Sequence, residues 1–279
     1  MLRHAAESEA IPGNPLTLVR PPRSEHRDSV TPLAPATVEG VRAIFEGPMD
    51  AHVPARIRQG GVRVTAYVVP DERDPLTRQR DAAIVSVLAY AGLRPGELRA
   101  LRWGDVRKAT ITVERAARPD GTIKSTKNHE RRAVRLLAPL AADLAALRLA
   151  AGHPTDDMLI LPVGEPAADA HPEAVTWTKT DWQVWRDRRW AKACKLVGMA
   201  SAPRPYDLRH SFASLLLAEG KSVHYVARQL GHSPALTLNT YGHLFAEYEE
   251  AERIDAEREI VMARNGLQGP YARPVDEAA

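Results

Sequence analysis

The chain has 279 residues, enough for one large domain or a domain with a smaller partner, so the size of the core is not limiting. Its single cysteine, Cys194, excludes an internal disulfide, no Cys/His cluster has the spacing of a structural zinc site, and the first twenty residues carry Arg3, His4, Glu7 and Glu9 where a secretory signal needs an apolar run. A net charge of +3 is too small by itself to argue for nucleic acid, and the longest uncharged apolar run, Ile84 to Leu93, is far shorter than the ~18–20 residues that span a bilayer, so a soluble protein of a reducing cytoplasm is expected.

Residues 1–36 hold Pro12, Pro15, Pro21, Pro22, Pro32 and Pro35, a density that prevents helices longer than a turn or two and marks a linker. From Thr37, a plausible N-cap, Val38, Val41, Ile44 and Phe45 recur at helical spacing. Gly47 to Pro75 is irregular apart from one alternating piece, Val62, Val64, Ala66 and Val68, that suits a strand. Leu76 to Ala91 is helical again, with Ile84, Val85, Leu88 and Ala91 on one face and Gly92 as its stop. Next comes Gly92-Leu93-Arg94-Pro95-Gly96-Glu97-Leu98. Pro95 suits the first turn of a new helix, and Glu97 falls where a carboxylate can accept from free backbone donors or hold a neighbouring arginine.

After Trp103-Gly104-Asp105 the apolar period switches to two. Ala109 to Arg115 alternates, Asp120-Gly121 gives a hairpin turn, and Thr122 to Ser125 and Ala133 to Leu137 supply further strands of a small antiparallel sheet. Lys124 and Lys127 lie near the turn joining the second and third of these strands. From Arg94 to Arg135 basic residues far outnumber acidic ones, which by itself describes a solvated basic face. Helical signal returns at Leu140 to Ala150, followed by an extended Met158 to Leu161 and a loop over Asp169 to Thr180. Trp182, Trp185, Arg186, Trp190, Ala193 and Val197 mark another amphipathic helix closed by Gly198, with the tryptophans as packing anchors in preference to base-stacking platforms.

Pro203 to His243 parses into three short helices. Asp207 is placed to cap the first (Leu208, Phe212, Leu215, Leu216), which stops at Gly220. Ser222 is placed to cap the second (Val223, Val226, Leu230), which stops at Gly231, and Ser233-Pro234 starts the third, which carries Tyr241. The chain is expected to continue as a charged helix to about Ile260, with disorder from Gly266 onward.

Taken singly, Arg94, Lys127 and Tyr241 each have a structural explanation: a helix start, a hairpin, a core ring. Their order and spacing together resemble the tyrosine recombinase (phage integrase) family over about residues 31–260. One family box resembles Ala91-Gly92-Leu93-Arg94-Pro95-Gly96-Glu97-Leu98 with Leu101, Trp103 and Asp105. The other resembles Asp207-Leu208-Arg209-His210 through Leu230-Gly231-His232-Ser233 to Tyr241, and Lys127-Asn128-His129-Glu130-Arg131-Arg132 resembles the hairpin lysine segment between them.

The resemblance implies a mainly α fold with a small antiparallel β-sheet, the tyrosine recombinase catalytic-domain fold, and a double-stranded DNA partner. It implies cleavage by attack of Tyr241 on a phosphodiester, leaving a 3′-phosphotyrosyl bond. A phenol with a pKa near 10 is ionised in only about one molecule in a thousand at pH 7, so it must lose its proton as it attacks. Arg94 and Arg209 would hold the charge that grows on the phosphorus oxygens, since planar guanidinium groups match that geometry with parallel donors. His232 would donate to a phosphate oxygen, and Lys127 would give a proton to the leaving 5′-oxygen, with Lys124 as the alternative. Glu97 and His210 would support them. Tyr206 stands where the family commonly has histidine; a phenol still donates a hydrogen bond but is a poor base near pH 7. No metal, cofactor, small-molecule substrate or membrane is implied, and a homo-tetramer on DNA is.

The expected organisation is a linker and stub of a core-binding domain at 1–36, the catalytic domain at 37–262 and a disordered tail at 263–279. A weak or inactive DNA-binding remnant is the alternative that the same motifs allow, and a type IB topoisomerase is a third reading.

Overall fold

The computed structural model of the chain describes residues 8, 12, 32–47, 49, 51–53, 56–57, 63–64, 67–69, 71, 73–125, 131–162, 176–249 and 253–266. Helix α1 (Pro35–Glu46) starts before Thr37, with Ala34 extended ahead of it. Pro35 makes this the better start, because proline's missing N–H falls where the helix has no acceptor for it. Helix α2 (Pro75–Tyr90) is capped by Asp74, whose carboxylate accepts from the Thr77 N–H at 2.9 Å. From Asp81 to Tyr90 it is buried on every side, so it forms the centre of the molecule, with α1, α4 (Ala138–Ala150) and α7 (Leu208–Ala218) packed around it.

Between α1 and α2 the single expected strand is replaced by two short antiparallel ladders. β1 (Ala51–Val53) pairs with β4 (Tyr67–Val69), and β2 (Arg56–Ile57) with β3 (Arg63–Val64), so the alternating stretch is divided between two partners. The expected small antiparallel sheet follows α3 (Pro95–Arg99). β5 (Thr110–Val113) pairs with β8 (Arg132–Arg135), and β6 (Arg115–Ala117) with β7 (Ile123–Ser125). Ile111, Val113 and Val134 put one face of β5–β8 into the core.

The tryptophan helix begins at Lys179, inside the stretch expected to be loop, because Thr178 and Asp181 cap each other: the Thr178 hydroxyl accepts from the Asp181 N–H, and the Asp181 carboxylate from the Thr178 N–H. It runs as α5 (Lys179–Trp185), a π-helical turn (Arg186–Trp190) and α6 (Ala191–Leu196). The wide turn returns Trp190 to the face of Trp185 after five residues. Ring centres are 5.0 Å apart for Trp182 and Trp185, 6.2 Å for Trp185 and Trp190, and 5.9 Å for Trp185 and Phe45 of α1. These rings are packing anchors.

Asp207 does not cap α7. It closes a 3₁₀ turn (Pro205–Asp207), where its carboxylate accepts from the Arg204 N–H at 2.9 Å and pairs with the Arg204 guanidinium at 2.8 Å. Helix α8 (Val223–Leu230) is capped by Ser222 and stops at Gly231, as expected. Helix α9 (Pro234–Glu249) carries Tyr241. The expected charged helix to Ile260 is broken: residues 253–255 are not helical, and α10 (Ala256–Arg264) begins anew with Asp255 capping the Arg258 N–H at 2.9 Å. The Ile254 N–H bonds the Ala218 carbonyl, Arg135 pairs with Glu257, and Arg264 reaches both Glu39 of α1 and Asp143 of α4, so α10 folds back on its own domain.

Gly92, at φ +59°, makes a tight turn in the core. A Cβ there would lie 2.5 Å from Phe212 Cδ1. Left-handed backbone costs a side-chain-bearing residue about 1–2 kcal/mol and overpacking about 1–3 kcal/mol, so Gly92→Ala is expected to lower the thermal midpoint by roughly 5–15 °C. A melt within a degree or so of wild type would show that the turn is not held by packing.

Candidate active site

Two helix stops create the centre of the site. At the end of α2 the Gly92 carbonyl accepts from Arg209 Nη1, and at the end of α8 the Leu230 carbonyl accepts from Arg209 Nη2, which also lies 3.0 Å from His232 Nε2. Helix C-termini carry partial negative charge, so a guanidinium between two of them is attracted from both sides. Arg209 is 0% exposed. Burial, then the nearby Arg94, lower its pKa to about 10, which leaves it charged at neutral pH. Its Nε has no hydrogen-bond partner among the described residues.

Arg94 is the N-cap of α3, and Glu97 three residues on turns back to it. The carboxylate accepts from the Arg94 N–H at 2.8 Å and from its Nη1 at 2.9 Å, while Arg94 Nη2 donates to the Gly231 carbonyl at 3.2 Å. Gly231 can present that carbonyl because it ends α8 in the left-handed region, φ +64°. Glu97 is only 4% exposed and also receives both Nη groups of Arg132, at 2.8 and 2.6 Å. Burial works to raise the Glu97 pKa, but the Arg132 hydrogen bonds and charge, with the N–H and charge of Arg94, outweigh it and bring it down to about 2.

Sequence reasoning missed Arg132. It stood in a basic run read as a solvated face, and the signal that could have found it was Glu97, a carboxylate in an apolar box that needs more than one cation. Arg132→Ala leaves Glu97 buried with Arg94 alone, an expected loss of roughly 3–5 kcal/mol. The stabilisation from Glu97 is complete above its ordinary value of 4.5 and fades as pH falls toward 2. Removing Arg132 raises the folded Glu97 pKa, so thermal melts between about pH 6 and about pH 3 should show the variant well below wild type near pH 6 and the gap narrowing as pH falls. Superimposable pH profiles would mean that Arg132 does not hold the carboxylate ionised.

His232 follows Gly231 directly. Because a guanidinium only donates, its Nε2 accepts from Arg209 and its proton sits on Nδ1, which is buried and without a partner among the described residues. Burial, then Arg209 and Arg94, lower its pKa to about 4, so it is a neutral donor at pH 7. Tyr241, 0% exposed, places its hydroxyl 2.7 Å from His210 Nδ1. Burial raises the pKa of this phenol, against the opposing pull of Arg209. The half-buried Tyr206 ring meets His210 edge-on, with centres 5.6 Å apart.

The structure thus brings Arg94, Glu97, Arg209 and His232 into one hydrogen-bonded cluster and places Tyr241, His210 and Tyr206 beside it. Lys127 lies outside the described residues. Lys124 is exposed on β7 opposite Ala116, and no hydrogen bond or ion pair among the described residues joins it to the arginines. Among the described residues, no group of three or more His, Cys, Asp and Glu could hold a metal ion, and no helix is long and apolar enough to cross a membrane. The chemistry available is that of an oxyanion cradle: buried guanidinium, a neutral N–H without an acceptor, and a phenol next to them.

The family model described as the phage integrase family matches residues 71–247. A tyrosine recombinase of Pseudothermotoga lettingae is 27% identical over 222 residues, 78% of this chain and 67% of the relative. A putative integrase/recombinase of Sinorhizobium fredii is 30% identical, over 68% of this chain and 41% of the relative, so this chain spans well under the full length of such relatives. Among solved structures, the Tn1549 transposon integrase in complex with transposon right end DNA superposes with a TM-score of 0.54 at 17% identity, covering 95% of this chain and 75% of that one. At that identity the likeness shows the fold: mainly helical, with a small antiparallel sheet.

Proposed function

The chain belongs to the phage integrase family, and from that premise we propose that it is a site-specific recombinase that breaks and rejoins double-stranded DNA through a covalent bond to Tyr241. The observation that carries this reading is the cluster of Arg209, His232, Arg94 and Glu97, with Arg209 and Glu97 buried, beside a buried tyrosine. A phosphodiester seated there would meet Arg209 Nε and His232 Nδ1, donors of this cluster that have no partner among the described residues.

In the proposed step the Tyr241 oxygen forms a bond to phosphorus and loses its proton. The bond from phosphorus to the 5′-oxygen breaks, and that oxygen takes a proton, which we assign to Lys127. Arg94 and Arg209 stabilise the added charge on the non-bridging oxygens, where removing one such donor typically costs about 10²–10³ in rate. The bond energy is kept in the phosphotyrosyl link, so rejoining is the same step reversed. Tyr206 contributes a hydrogen bond to phosphate. The unit proposed to carry this is the catalytic domain at 37–262, assembling as a homo-tetramer on DNA in the cytoplasm. Size-exclusion with and without DNA tests the assembly. The inactive-remnant alternative has less support, because Arg94, Arg209 and His232 stand together around one cradle.

The test is trapping. Duplexes spanning the two boundaries of the DNA segment that encodes the chain are nicked near each candidate phosphate, so that cleavage releases a short strand and rejoining is blocked. A denaturant-resistant protein–DNA adduct should accumulate, and peptide mapping should place the DNA on Tyr241. No adduct on any boundary duplex, or an adduct on another residue, would refute the assignment.

A further inference from the structure

We propose that His210 is a catalytic residue of this chain, the base whose Nδ1 receives the proton that the Tyr241 hydroxyl loses as its oxygen attacks phosphorus. This rests on the reading of Tyr241 as nucleophile and adds what that reading leaves open, the destination of the proton. The Tyr241 hydroxyl is 2.7 Å from His210 Nδ1, well within the reach of proton transfer. The neighbours cannot serve. Arg209 has no lone pair to offer, and Tyr206 is a phenol like the one to be deprotonated. His232 has its Nε2 already engaged by the Arg209 guanidinium, and its other ring nitrogen carries the proton.

His210 sits at the first turn of α7, directly after Arg209, so the base and the charge-stabilising arginine are delivered by consecutive residues of one helix. With Nδ1 accepting from the phenol, the ring proton is on Nε2. Burial, then Arg209 and Arg204, disfavour the imidazolium, while the Asp207 carboxylate favours it. Transfer before attack is therefore uphill, since burial also holds the phenol protonated. It becomes favourable only as phosphorus takes up the phenol oxygen. The proton passes to Nδ1, the phenol oxygen–phosphorus bond forms, the phosphorus–5′-oxygen bond breaks, and the 5′-oxygen is protonated by the separate acid assigned to Lys127.

The test uses the full chain and the nicked duplex that gives the wild-type adduct, made with either a bridging 5′-oxygen or a bridging 5′-sulfur. A thiolate leaves without protonation, so sulfur relieves the loss of a leaving-group acid and not the loss of a base. His210→Asn puts a carbonyl oxygen near the position of Nδ1; it still accepts from the phenol but cannot take the proton. Its rate of adduct formation is expected to fall roughly 10²–10⁴-fold on both duplexes, with thermal midpoint and DNA retention in a gel near wild type.

A His210→Asn rate within about threefold of wild type, or one restored by sulfur, overturns the base assignment and leaves the Tyr241 reading standing. If the wild-type chain itself forms no adduct, both fall. Nitrogen-15 spectra of the DNA-free chain give a readout that does not need activity. His210 should be the Nε2–H tautomer with an Nδ1 resonance that moves in Tyr241→Phe, and an Nδ1–H tautomer overturns the proposal whether or not the variant folds.

Discussion

Tyr241→Phe is expected to abolish adduct formation on a nicked duplex, a loss of roughly 10⁴–10⁶ in rate, on the scale seen when an enzyme loses its nucleophile outright. The phenyl ring fills the same fully buried site on α9, so the packing of Tyr241 is preserved. What goes is the hydroxyl and its bond to His210 Nδ1. An unpaired buried acceptor costs about 1–3 kcal/mol, so a modest fall in thermal midpoint should accompany the loss of activity. Single-turnover assays on denaturing gels measure the first effect and calorimetry the second. Adduct persisting in the variant would move the nucleophile to another side chain.

Arg209→Lys carries the second large effect. Lysine keeps the positive charge, but a single ammonium cannot span the Gly92 and Leu230 carbonyls, approach His232 Nε2 and leave a donor for phosphate. The rate of adduct formation should drop about 10²–10³-fold, and the thermal midpoint should fall too, because two buried helix ends lose their shared donor. Arg209→Ala should be worse on both measures. If Arg209→Lys cuts at the wild-type rate, the phosphate does not sit against this guanidinium.

Local chemistry was largely legible in the sequence. Gly92 and Gly231 announced helix stops, Ser222 a cap and Pro95 a helix start, because each acts through its own backbone within a turn. What escaped depends on groups distant in sequence. Arg132 acquires its role from Glu97, thirty-five positions earlier, and no periodicity on β8 shows that. Asp207 looked like a cap for α7, but Arg204 competes for it. The charge pattern after Glu249 suits one long helix, yet Asp255 starts a new one that Arg264 fastens to Glu39 and Asp143. The π-helical turn at Arg186–Trp190 follows from the stacking of rings spaced by three and then five residues, a requirement of the core and not of the helix.

The pairing of Glu97 with Arg94 and Arg132 also fixes the ionic balance of the cradle. Arg94 and Arg132 pair with a single carboxylate, Arg209 lies close by without a carboxylate of its own, and burial disfavours the charged form of both nearby histidines. Two positive charges are left unmatched, one of them on the fully buried Arg209. A DNA phosphodiester is a monoanion and matches only one of them; the phosphorane made by phenol attack gathers a second negative charge on its oxygens. In the proposed reaction the arginine cluster is thus overcharged for its resting guest and matched to the fleeting one, which is how a binding site becomes selective for a transition state.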